Sequence, residues 1–314
     1  MLIDCMGIIS RAYVKKFVCR YDKQIGVPYY SYTDFEGLHR DESSFTNSKG
    51  IEIKYFYFYY DNYKKDKIVL FLHGLDCGHA AYMAEINELC KRGFKVLAVD
   101  YTGCGESKGK YLGSLYQPTK DVIELLDLLN LKKEIVLFGH SLGGFTTLNI
   151  LNLRKEIKTS IILAGFITLK YELSNFIKSN FFLKGILRYE KKIGGNLYNL
   201  DNIEFLKTTK DRIFYIQSDD DHMVPFITAY KIVESVNNPA VKILKVSGRK
   251  HNPNYTDEAV RYMNDVFVNL KYQIKNKQIK TSDDRINYFK NISLEKLVAQ
   301  DQKMFDEIAK FIDK

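Results

Sequence analysis

Six apolar runs of strand length recur through the middle of this chain: IVLFLH (68–73), KVLAVD (95–100), EIVLFG (134–139), SIILAG (160–165), RIFYIQ (212–217) and VKILKV (241–246). Each is rich in β-branched residues and bounded by turn residues, the pattern of strands buried on both faces. Segments of helical character separate them, and strand–helix alternation of this kind builds a mostly parallel sheet with helices on both faces. The expected fold class is therefore α/β. Upstream, DESSFTN and IEIKYFYFYY flank Ser48-Lys49-Gly50, and the partial alternation of the second run predicts an antiparallel hairpin at the sheet edge.

Between the fourth and fifth runs the chain takes a longer detour, rich in Phe and Tyr and ending in the loop-like GGNLYNLDN. Leu173, Phe176, Ile177 and Phe181 fit one helical face and Leu183, Ile186 and Leu187 another, which predicts an inserted helical cap. After the last strand come a helix near 257–272, the polar segment KNKQIKTSDD, and a terminal helix carrying Leu297, Val298, Phe305, Ile308 and Ile312. Residues 2–18 read as an amphipathic helix packed on the domain, the alternative being an interfacial membrane helix. The organisation expected is an N-terminal helical segment (1–40), a first part of the core (41–165), a cap (166–208) and a second part of the core with C-terminal helices (209–314). A chain of 314 residues suits one core with one insertion.

The formal charge of +9 comes from lysines scattered in ones and twos, not from a dense basic stretch, which argues against a nucleic-acid partner and leaves only weak attraction to anionic substrates or membrane surfaces. The five cysteines (Cys5, Cys19, Cys77, Cys90, Cys104) form no CxxC pair and no metal-like spacing, as expected of a reduced, cytoplasmic protein. No apolar run approaches the roughly 20 residues that span a bilayer. Arg11, Lys15 and Lys16 follow the apolar opening MLIDCMGIIS, whereas a signal peptide places its positive residues first.

GHSLGG (139–144) lies between the strand run EIVLF and FTTLNILNLR, a segment that can be a helix. This is G-x-S-x-G in the strand–turn–helix setting of a nucleophile elbow. A turn this sharp puts the serine in a strained conformation and requires small residues at Gly139 and Gly143. The following helix aims N–H groups and partial positive charge at a developing oxyanion. A serine hydroxyl needs a base, and the base an orienting carboxylate; in the fold that carries such an elbow they follow in the chain order Ser, acid, His. Of the six histidines, His39, His73, His79 and His140 precede Ser141; His222 sits beside the candidate acids; His251, in SGRKHNP after the last strand, is the candidate base. SDDDHMVP after RIFYIQ offers Asp219, Asp220 and Asp221, which physics alone does not separate.

LHG (72–74), VDYTGCGESKG (99–109), GHSLGG (139–144), SDDDHMVP (218–225) and GRKH (248–251), in that order, resemble the α/β-hydrolase superfamily, specifically its bacterial lysophospholipase-like, monoacylglycerol-lipase-like and S33-peptidase-like branch. The resemblance covers roughly residues 40–255 and implies the α/β-hydrolase fold. It also implies that Asp221, four residues before Pro225, is the acid and that the amides of Leu75 and Leu142 form the oxyanion hole. Asp100 with Gly103, Gly105 and Ser107 resembles the family's structural loop, without a catalytic role. Ser218 stands where the family usually has Gly, and the segment 257–290 is longer than in compact members.

The resemblance thus implies a serine hydrolase cleaving small or lipid-like acyl esters through Ser141, Asp221 and His251, with no metal or organic cofactor. Phe166, Tyr171, Phe176, Phe181, Phe182 and Tyr189 are candidates to line an apolar acyl pocket, the alternative being that they pack the cap on the core. The same triad serves thioesterases and aminopeptidases; a prolyl-type peptidase needs an acidic group for the substrate amine, which Glu172 or Glu190 would supply. A dehalogenase is disfavoured because that chemistry has a carboxylate where Ser141 stands. A non-catalytic scaffold on the same fold is disfavoured because nucleophile, acid and base are all present.

Overall fold

The computed structural model describes residues 2–20, 27–63, 66–75 and 77–314. Residues 21–26 of the N-terminal segment and the Cys5 side chain lie outside the described part. The strands are β1 (His39–Thr46), β2 (Glu52–Tyr59), β3 (Lys67–Leu72), β4 (Lys95–Val99), β5 (Glu134–His140), β6 (Thr159–Leu163), β7 (Arg212–Ser218) and β8 (Val241–Val246). They form one sheet in the order β1-β2-β4-β3-β5-β6-β7-β8. The hairpin β1–β2 lies at one edge and pairs antiparallel to β4 through β2. From β4 to β8 every pairing is parallel. Each of the six apolar runs is a strand; the near-complete burial of β3, β4, β6 and β7 explains why they read as continuous, whereas β8, at the sheet edge, buries only Val241.

The two faces are covered by different helices. Ile68, Leu70 and Leu72 of β3 point into a core shared with α3 (Gln117–Leu129) and α4 (Leu142–Leu153), whereas Val69 and Phe71 point into a core shared with α2 (Met83–Lys91) and α12 (Gln302–Asp313). This is the period-two alternation of a strand, with both faces buried. On the second face Phe138 stacks between Phe71 and Phe305 at centroid distances of 5.1 and 6.5 Å.

Three expectations about the helices need correction. Leu173, Phe176, Ile177 and Phe181 do not share one helix: α5 (Leu169–Phe176) ends where Ile177 adopts extended dihedrals, and α6 (Asn180–Gly194) begins after Ser179. The loop-like GGNLYNLDN contains a 3-10 turn, Gly195–Asn199, before α7 (Asn202–Thr208). Leu297 and Val298 are not on the terminal helix, because Asp301 caps α12 by accepting the Met304 N–H and so starts a new helix behind them. Leu297 instead ends the short α11 (Leu294–Leu297), which packs with α9 (Asp257–Lys275) and α10 (Ser282–Phe289) in a small core of Val266, Leu270 and Phe289. The helix α8 (Tyr230–Val236) leads into β8, and α1 (Leu2–Lys16) packs against α6. Among the described residues no helix is long and apolar enough to cross a membrane, and Cys19, Cys77, Cys90 and Cys104 form no disulfide.

Candidate active site

Ser141 is the single residue between β5 and α4, at φ 55° and ψ −116°. A non-glycine residue pays roughly 1–3 kcal/mol for such a conformation, so its surroundings must hold it there. They do so by close approach. A Cβ on Gly143 would lie 1.9 Å from the Leu72 carbonyl oxygen at the end of β3, and one on Gly139 would lie 2.3 Å from the Gly143 carbonyl oxygen. The Ser141 N–H donates to the Leu163 carbonyl at 2.9 Å, continuing the β5–β6 ladder through the turn.

The loop after β7 separates the three aspartates. Asp219 accepts the Ser247 hydroxyl at 2.7 Å, and Asp220 accepts the Ser218 hydroxyl at 2.6 Å and the Lys250 N–H at 2.8 Å. Asp221 alone faces His251, its Oδ2 lying 2.9 Å from Nδ1. Its Oδ1 accepts the N–H groups of Met223 at 2.8 Å and Val224 at 3.0 Å, which fixes the carboxylate. Because a carboxylate only accepts, His251 Nδ1 carries the proton and Nε2 keeps its lone pair. Ser218 has a use of its own: its oxygen also accepts the Arg249 N–H at 3.0 Å, tying the acid loop to the His251 loop. His222 is exposed and takes no part.

A cavity of about 490 Å³ opens at the sheet's carboxyl end, lined among others by Leu75, Ser141, Leu142, Phe166, Glu172 and His251. Phe176 and Met223 also line it while 46% and 54% exposed, so they stand at its mouth. Tyr171, Phe181, Phe182 and Tyr189 do not line it. The break after Phe176 turns α6 so that Phe181 and Phe182, 55% and 51% exposed, meet edge to face at 5.8 Å on the surface. Tyr171 is likewise exposed on α5, and the Tyr189 hydroxyl donates to the Gly113 carbonyl at 2.8 Å.

The two acidic candidates of the cap differ in the same way. Glu190 is fully buried and accepts from the Tyr13 hydroxyl at 2.6 Å, the Ser114 hydroxyl at 2.5 Å and the Leu115 N–H at 3.2 Å. Glu172 lines the cavity, and its buried Oε2 has no hydrogen-bond partner among the described residues. Burial, and then the nearby Asp221 charge, push its carboxyl up to about 8.

Sequence reasoning set His140 aside because it precedes Ser141, and it missed Tyr82 altogether. The His140 Nε2 lies 2.8 Å from the His251 carbonyl oxygen, so Nε2 is the protonated nitrogen. Its Nδ1 then accepts the Tyr82 hydroxyl at 2.8 Å, and the Tyr82 oxygen accepts the Gly74 N–H at 3.0 Å. Burial, with the His251 ring beside it, pushes His140 down to about 3 and keeps it neutral. The one available signal was a large polar residue inside an otherwise small-residue turn. Of the other early histidines, buried His73 stacks on Tyr101 at 3.9 Å, the His79 backbone N–H donates to Asp100 at 2.7 Å, and His39 pairs with Asp61 at the surface at 2.8 Å. Asp100 also accepts the Glu106 N–H at 2.7 Å, and a Cβ on Gly105 would lie 2.1 Å from its Oδ2.

Known proteins share both the fold and stretches of the sequence. The esterase Pf2001 of Pyrococcus furiosus superposes with a TM-score of 0.56 at 21% identity, over 83% of this chain and 97% of that one. Est1E of Butyrivibrio proteoclasticus, solved with ferulic acid, gives 0.56 at 18% identity over 71% and 98%. At these identities the likeness is one of fold, the α/β-hydrolase fold. Among curated relatives, the AB hydrolase superfamily protein YisY of Bacillus subtilis is 33% identical over 76 residues, 24% of this chain and 28% of YisY. An epoxide hydrolase of Caballeronia sordidicola is 33% identical over 91 residues, 28% of this chain and 27% of that protein. The aligned part thus spans under a third of either relative. The sequence model of the family described as serine aminopeptidase, S33 matches residues 63–254. That match runs through more than half of the chain, from before β3 to beyond the His251 loop, and this protein belongs to the serine aminopeptidase S33 family of α/β-hydrolases.

Proposed function

We propose that this protein is a serine hydrolase acting on carboxylic esters, with Ser141 as nucleophile, His251 as base and Asp221 as the group that orients it. The observation that carries the reading is the 2.9 Å contact of Asp221 with His251 Nδ1, which leaves Nε2 to serve Ser141 in the cavity that both residues line. Ser141 Oγ attacks the ester carbonyl carbon while its proton passes to His251 Nε2. The amides of Leu75 and Leu142 hold the oxyanion; Leu142 is the first residue of α4, where N–H groups lack intrahelical partners. Collapse of the tetrahedral species breaks the ester C–O bond, and His251 protonates the departing alkoxide. Water, deprotonated by the same Nε2, then releases the acid from Ser141. Residues 166–208 are taken as the cap of this site, the support being that α5 supplies Glu172, Leu173 and Phe176 to the cavity lining.

A panel of p-nitrophenyl esters of increasing chain length, assayed on wild type and Ser141→Ala, tests the reading. Turnover in the wild type should fall by orders of magnitude in the variant; undiminished turnover in Ser141→Ala would sink it.

A second reading, cleavage of a peptide bond next to a free amine, is favoured by Glu172. Its carboxyl lines the cavity with an oxygen that no described residue engages, and a substrate ammonium would supply the missing donor. Amino acid p-nitroanilides hydrolysed faster than the esters, and lost in Glu172→Gln, would favour it.

A further inference from the structure

The chain ahead of the family match reaches the cavity. Tyr13 on α1, with Phe17 and Val18 just after it, lines the same cavity as Ser141 and His251. Tyr13 and Val18 are buried to 2% and 0% exposure, whereas Phe17 remains 42% exposed, so the segment supplies both an inner wall and part of the lip.

This wall is fastened at several points. The Tyr13 hydroxyl donates to buried Glu190 at 2.6 Å, joining α1 to α6. A Cβ on Gly185 of α6 would lie 3.2 Å from Ile9 Cγ2, so the two helices pack closely. The Gly113 N–H donates to the Val18 carbonyl at 3.2 Å, and Cys19 forms an antiparallel bridge with Tyr111. The Arg20 guanidinium donates to the carbonyls of Ser107 at 2.7 Å and Gly109 at 3.1 Å. A buried carboxylate, main-chain bonds and a guanidinium thus tie the segment to the core. Phe166, Leu173 and Phe176 line the same cavity, so apolar side chains from both parts of the chain bound it, with Lys16 and Glu172 as charged residues of the lining.

We infer that the segment Tyr13–Val18 is a specificity-determining wall that bounds the apolar group of the substrate, selecting esters with an extended aliphatic chain. The inference rests on the proposed role of Ser141 only for the chemistry, not for the wall. Each methylene taken out of water against such a wall changes kcat/KM by up to about fourfold, so trimming the wall must alter chain-length preference.

Phe17→Ala is the test variant, because a half-exposed side chain can be removed without opening the core. The ratio of kcat/KM for p-nitrophenyl dodecanoate to that for p-nitrophenyl butyrate should fall about tenfold relative to wild type. Val18→Phe, which fills the slot from the inner wall, should move the optimum to shorter chains. A chain-length profile unchanged in both variants overturns the proposal. If the wild type neither turns over esters nor is labelled at Ser141 by an alkyl fluorophosphonate, the proposed chemistry has failed and the wall is judged by equilibrium binding of a fluorescent long-chain fatty acid. Affinity about tenfold weaker in Phe17→Ala supports the wall, and equal affinity overturns it.

Discussion

The Tyr82 hydroxyl and His140 Nδ1 meet at 2.8 Å, and through that bond the backbone of Gly74 is linked to the backbone of His251. Two loops that contribute different parts of the candidate site therefore share one neutral, directional chain of hydrogen bonds. Removing the Tyr82 oxygen leaves the Gly74 N–H and His140 Nδ1 without their partner. Tyr82→Phe should cost roughly 1–3 kcal/mol in urea denaturation, with a fall in kcat larger than any change in KM. A variant as stable and as fast as wild type would show that the chain is incidental.

Ser141 holds a conformation suited to glycine. Ser141→Gly should be more stable than Ser141→Ala by about 1 kcal/mol, since both lose the hydroxyl but only glycine relieves the positive φ. Thermal or chemical denaturation of the pair checks this, and equal stabilities would mean that the elbow carries no strain.

The three adjacent aspartates should separate by kinetics as they do by geometry. Asp221→Asn removes the acceptor that fixes the His251 tautomer and should lower kcat by roughly two to four orders of magnitude. Asp219, whose side chain pairs with Ser247 and Lys245 at the surface, should on replacement by Asn leave kcat within about twofold of wild type by the usual reckoning for exposed pairs.

Glu172 gives the protein an alkaline weakness. Its carboxyl titrates near 8 in the folded state and at the ordinary carboxylate value when unfolded, so between those limits the folded state binds the extra proton. The stability this gives is complete below the unfolded value and is lost as pH rises through about 8. Denaturation midpoints should therefore decline from pH 6 to 9 in wild type and decline less in Glu172→Gln. Parallel curves would exclude Glu172 as the cause.

The sheet was legible because doubly buried strands leave an unmistakable mark: Val69, Leu70 and Phe71 are apolar in succession where one-sided strands alternate. The elbow was legible because close backbone contacts at Gly139 and Gly143 admit nothing larger. What escaped was whatever depends on where a helix stops. Nothing in apolar spacing shows that Ile177 leaves the helix, and with that break Phe181 and Phe182 turn to solvent. Contacts between distant parts of the chain escaped as well. The pairing of Tyr13 with Glu190, 177 positions apart, has no local pattern, and neither does Tyr82 with His140.

The contact between Gly143 and the Leu72 carbonyl divides the cavity into two regimes of tolerance. On the side of Ser141 the end of β3 and the first turn of α4 touch through bare backbone, and any side chain at Gly143 would force the strand and helix apart. On the opposite side Phe17, Phe176 and Met223 stand partly in solvent, with space around them for other shapes. Variation, natural or engineered, therefore has one direction open to it: the chemistry stays where glycine holds it, and new substrates are admitted from the mouth.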